Sequence, residues 1–85
     1  MQKWEYLFIL RDRELDTKSG RISEWTITFN PPQGQTGKKP SEFLPVLGEQ
    51  GWELVAVWPF SDMDGSSWAG YTSQERWVFK RPKQD

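Results

Sequence analysis

Residues 48–57, Gly48-Glu49-Gln50-Gly51-Trp52-Glu53-Leu54-Val55-Ala56-Val57, set two glycines three apart in front of an alternating apolar run. The spacing predicts a junction. Gly51 falls where a helix ends in a left-handed residue that only glycine adopts cheaply, and Gly48 would let the last helical turn approach aromatic side chains. Trp52 then begins a strand. The competing reading is the GxxG loop with which K-homology domains clamp a nucleic-acid backbone. It fails on chemistry, because Glu49 and Gln50 are not basic and the chain leaves into a strand instead of a second helix.

Upstream of the junction, Ser41 is a suitable N-cap for a short helix to about Gln50, with Phe43, Leu44, Val46 and Leu47 as its apolar stripe and Pro45 disturbing its first turn. The loop 30–40, rich in proline and glycine, precedes it. Before that, KWEYLFILR (3–11) alternates cleanly, DRELDTKSGR suits a hairpin connection, and ISEWTITF (22–29) alternates again. Downstream, the strand of Trp52, Leu54, Ala56 and Trp58 ends at Pro59. A serine- and glycine-rich loop spans 61–74, and ERWVFKRP (75–82) forms the last strand.

The order is therefore ββαββ: an α+β domain occupying 1–85, in which short uncrossed connections favour an antiparallel four-stranded sheet of strand order 2-1-3-4 with one helix on one face. The bulkiest alternating set, Trp4, Tyr6, Phe8, Leu10, Trp25, Ile27, Phe29, Trp52, Leu54, Trp58, Trp77 and Phe79, is assigned to the helix side. Leu7, Ile9, Val55, Val57 and Val78 fall on the second face, with Glu5, Arg11, Glu24, Glu53, Arg76 and Lys80 around them. An apolar centre with a charged rim is interface anatomy, and one ten-residue helix cannot cover both sides of such a sheet. Self-association through that second face, as a homodimer, is the expected mode of action.

Composition narrows the other options. At 85 residues the chain holds one core and buries only about 60–65% of its unfolded surface. Eleven basic and twelve acidic residues, intermixed, create no long-range field toward nucleic acid or anionic lipid. Histidine and cysteine are absent, which removes the commonest general base, the thiol nucleophile and most transition-metal sites. No catalytic constellation, cofactor or metal is expected. Glu5 and Glu53 read as cross-strand ion-pair partners of Arg76 and Lys80. Asp62-Met63-Asp64-Gly65 has the opening spacing of a calcium loop but lacks its later ligands, so it reads as a solvated turn. The opening MQKWEYLFIL reads as a strand and no segment approaches a membrane span, so the default compartment is the cytoplasm.

A second functional class remains open: binding of single-stranded nucleic acid or a small ligand. It would use Trp68 and Tyr71 in the 61–74 loop, with Lys38, Lys39 and the Lys80-Arg81-Pro82-Lys83 block supplying charge.

Three features together, Trp4-Glu5-Tyr6 opening the first strand, the block Leu47–Val57 and the closing Val78-Phe79-Lys80-Arg81-Pro82, resemble the small bacterial domains of unknown function numbered 4177. The resemblance implies a small helix-on-sheet architecture and no activity. Pro45 and the loops 31–40 and 61–74 depart from that family's pattern.

Overall fold

The computed structural model describes residues 1–16, 18–34, 36–61 and 72–84. Its elements are β1 (Trp4–Asp12), β2 (Leu15–Asp16), β3 (Arg21–Ile22), β4 (Thr26–Asn30), α1 (Pro40–Glu49), β5 (Glu53–Ser61) and β6 (Thr72–Pro82). β2 and β3 form a small separate ribbon that takes in Ile22, so the expected second strand, 22–29, is β4 and begins at Thr26. The ribbon's turn is tied by Asp16, whose carboxylate accepts bonds from the Lys18 N–H at 2.9 Å and the Ser19 hydroxyl at 3.0 Å. Those bonds hold the Asp16 pKa below its ordinary value.

The remaining strands make one antiparallel sheet of order β4-β1-β6-β5. The α+β class and the antiparallel sheet agree with the sequence reading, but the strand order 2-1-3-4 does not: the last long strand lies inside the sheet and the third is at its edge. β6 pairs with β1 over the whole of Trp4–Asp12 and with β5 on its other side. This order puts the end of β4 and the start of β5 at the same end of the sheet. The connection must therefore travel out and back. Residues 31–39 make the outward leg and α1 makes the return.

Two arginines fix that return. Arg11, only 5% exposed, pairs with Glu75 across β1 and β6, and its Nε donates to the Lys38 carbonyl, at 3.2 Å, just ahead of the helix. Its guanidinium also lies 4.5 Å from the centre of the Trp25 ring. At the other end, Arg81 pairs with Glu5 across the same two strands and donates to the Gln50 carbonyl at 2.8 Å. It lies 4.1 Å from the Trp52 ring centre. Each helix end is thus held by one guanidinium that is also engaged by a carboxylate and an indole face.

The helix begins one residue before the expected cap: Lys39 is the N-cap, makes no side-chain capping bond, and is followed by Pro40 at N1. Proline at N1 removes a donor that would be unpaired anyway and presets φ, which replaces the cap expected from Ser41. Pro45 lies inside the helix without ending it. At the far end, the Trp52 N–H donates to Leu47 O and the Gly51 N–H to Gly48 O, both at 3.0 Å, with Gly51 at φ 87°. These are the paired bonds of a Schellman motif, and Leu47 and Trp52 meet in the core as its hydrophobic contact. Gly48 has no close neighbour, so the expected approach of aromatic side chains there does not occur.

The core is Leu7, Ile9, Phe43, Leu47, Trp52, Trp77 and Phe79, with Ile27, Phe29 and Leu44 packed against it. Phe43 stands edge-on to Trp77 at 5.2 Å and to Phe29 at 6.4 Å. Strand β1 therefore faces the opposite way from the expected one. Leu7 and Ile9 lie under the helix, while Trp4, Tyr6 and Phe8 face outward. The reason is space and pairing together: Phe43, Trp77, Phe79 and Phe29 already fill the layer with rings, leaving aliphatic-sized gaps over β1. The same parity brings Glu5 and Arg11 beside Arg81 and Glu75.

Three outcomes test this arrangement. Leu7→Ala is expected to lower stability by about 2–5 kcal/mol in urea unfolding and Phe8→Ala by less than about 1 kcal/mol, the reverse of what ring size alone suggests. Gly51→Ala is expected to destabilise by about 1 kcal/mol, whereas Gly48→Ala, in open space within the helix, is expected to stabilise by roughly 0.5–1 kcal/mol. Arg11→Ala, which strands a half-buried Glu75, is expected to cost about 3 kcal/mol, against about 1 kcal/mol or less for the more exposed Arg81→Ala, again by urea unfolding.

Candidate functional site

The face of the sheet away from α1 has no element covering it among the described residues. Strand register places its side chains in cross-strand rows. Leu10 lies beside Thr28 and Arg76, and Arg76 beside Trp58; Phe8 lies beside Asn30 and Val78, and Val78 beside Ala56. Tyr6, Lys80 and Glu53 form the next row, and Trp4 faces Pro82. Five rings, those of Trp4, Tyr6, Phe8, Trp58 and Phe60, are each 40–51% exposed on this side. So many large apolar side chains gathered on one surface are unusual for a solvated sheet face, where single apolar residues would need no explanation.

β5 contributes its rings through an irregularity. Leu54 pairs with Phe79 and Ala56 with Val78, so Val55 is an extra residue in a bulge. Beyond the bulge the alternation is reversed: Val57 falls level with Trp77 on the helix side, while Trp58 and Phe60 turn to the open side.

The expected self-association set is accordingly divided. Leu7 and Ile9 are core residues and unavailable to a partner, Val57 lies on the helix side, and Val55 is half exposed at the bulge. Val78 alone of the five lies on the open face. Trp68 and Tyr71, the proposed loop aromatics, lie outside the described residues, as does Asp62-Met63-Asp64-Gly65. Ring size alone assigns these side chains inward and so hides the face in the sequence. The available signal was charge: Glu5 and Arg11 share parity with Leu7 and Ile9, and each has an opposite charge at matching depth in the last strand.

Cations on this face are attached to rings. Lys80 Nζ lies 4.4 Å from the Trp4 ring centre, and the Arg76 guanidinium 5.0 Å from that of Phe60. Lys80 is level with Glu53, as the sequence suggested, whereas Glu5 pairs with Arg81 instead of Arg76 or Lys80. Two acids, Asp12 and Glu53, share the face by register, so its formal charge is balanced. The basic residues expected to act together do not meet: Lys38 is bonded through its carbonyl to Arg11 at one end of β1, while the Lys83 N–H bonds Lys3 at the other.

Between Phe8 and Leu10 on one wall and Trp58 and Phe60 on the other runs an open groove of about 700 Å³, floored by Val78 and Arg76. Among the described residues no group of three or more carboxylates gathers to hold a metal, and no helix is long and apolar enough to cross a membrane. Comparison with family models, with curated proteins and with solved structures returns no match for this chain.

Proposed function

We propose that the protein is a small non-catalytic interaction module that pairs with a second copy of itself through the open sheet face. The observation that carries this reading is the set of five half-exposed rings on one uncovered face. Burying them against a like surface recovers the transfer free energy that water exposure forfeits, and apolar sheets stack at about 10 Å with interdigitating side chains. The face measures roughly 600 Å² in projection from strand spacing and rise, before side-chain relief is added. That approaches the roughly 800 Å² per partner of a standard interface.

Charge supports the choice of partner. A polyanion is held by an excess of cations, whereas Arg76 and Lys80 are offset here by Asp12 and Glu53. A balanced, apolar face suits a copy of itself, in which residue i meets j and j meets i.

Sedimentation at micromolar concentration is expected to give twice the chain mass. Phe8→Glu is expected to return the protein to a folded monomer, with its near-ultraviolet circular dichroism retained, because Phe8 contributes nothing to the core. A wild-type chain that stays monomeric across the concentration series would overturn the reading.

A further inference from the structure

The groove on the open face has a composition that selects a ligand. We infer that it binds a flat aromatic carboxylate, with the ring held between Phe8 and Trp58 and the carboxylate held by Arg76. This rests on the same open face as the self-association reading and sets a small molecule in competition with the second copy, since both use Phe8 and Trp58.

Width comes first. The walls stand on β1 and β5, two strand spacings apart, or about 9.6 Å between backbones, which leaves room between the side chains for one planar ring system. Ala56 is the small residue beside Val78, so nothing bulky rises from β5 opposite Phe8. The volume of about 700 Å³ lies inside the range of small-molecule sites, roughly 300–1,000 Å³. Aromatic walls favour a planar ligand, through offset or edge-on ring contacts.

Charge comes second. Among the described residues Arg76 is the one charged side chain lining the groove, and it has no carboxylate partner there. It lies in register between Leu10 and Trp58, so its guanidinium emerges from an apolar floor. The Phe60 ring centre lies 5.0 Å from its guanidinium carbon, a cation–π contact that does not use up the N–H donors. A planar fork of donors in apolar surroundings matches a carboxylate in two parallel bonds, and a neutral or cationic ring would leave it unpaired. Asn30 and Thr28, at the rim, add polar contacts beside the same wall.

Isothermal titration with naphthoate, naphthylmethanol and naphthylmethylammonium tests the inference. Naphthoate is expected to bind at least about tenfold more tightly than the alcohol, the scale of one charge-assisted hydrogen bond, and the ammonium more weakly still. Arg76→Gln should abolish the preference for the anion, Arg76→Lys should retain part of it, and Arg81→Gln, whose guanidinium serves the helix end on the other side of the sheet, should leave it unchanged. Equal binding of all three probes, an anion preference that survives Arg76→Gln, or no binding of naphthoate by the wild type would overturn the proposal. So would uptake of single-stranded oligothymidylate by the same face with naphthoate excluded. Sedimentation of the same samples separates the two readings. A chain that is monomeric without ligand and binds naphthoate with Arg76 dependence keeps the groove and overturns self-association, while a dimer that ignores naphthoate does the reverse.

Discussion

The pairing of β1 with β6 is the constraint on which the rest of this molecule depends. Nine consecutive residues of each strand face one another in a single register, and that register decides which side chains lie beneath the helix. A shift by one residue would exchange Leu7 and Ile9 for Tyr6 and Phe8 and would separate both Glu5 from Arg81 and Arg11 from Glu75. The two ion pairs mark the ends of the paired region on its helix side. Since each arginine also bonds a carbonyl at one end of α1, register and helix position are coupled: the spacing of the two arginine sites along the sheet matches the run of the helix.

The division of the two faces follows from that coupling. With rings from β4, α1 and β6 filling the space between layers, the middle of β1 can supply only aliphatic side chains inward, and its own rings are left outside. An 85-residue chain with six tryptophans thus uses its aromatic content in two ways. Trp52 and Trp77 are packed within the core, whereas Trp4 and Trp58 sit on the opposite surface. Burial of the first pair secures the fold. Solvent largely cancels what the second pair adds to an isolated copy, and it is the part of the aromatic content on which the proposed self-association draws.

Much of this was legible from local sequence. The Gly51 helix stop and the alternation in β1 and β6 depend on neighbours within a few positions and appear where the residues imply them, whereas the expected strand 22–29 begins only at Thr26 and the third strand starts at Glu53 and runs through Pro59 to Ser61. Strand order was not legible, because both orders keep every hairpin antiparallel; they differ in which of the last two strands lies beside β1 and in whether the segment 31–39 travels alongside the helix. The orientation of β1 was ambiguous for a different reason: alternation separates two sets of side chains but cannot say which is inside when both are apolar. The Val55 bulge was hidden altogether, since an extra residue in a run of valines, leucine and alanine leaves the pattern looking intact while reversing everything after it. The candidate site consists almost entirely of residues affected by those last two effects, so it emerged from the fold and not from a motif.

The strand order carries a consequence for synthesis. The central pair joins the first long strand to the last, so the contacts with the greatest sequence separation are also those at the middle of the sheet. While β6 is still within the ribosome, β1 has only β4 beside it, and the space that Trp77 and Phe79 will fill beneath the helix is empty. Folding during translation cannot be completed from the N-terminal side. In the interval, the aliphatic face of β1 and the ring-bearing face are both open to water, so the chain is most exposed to wrong partners just before its last strand arrives.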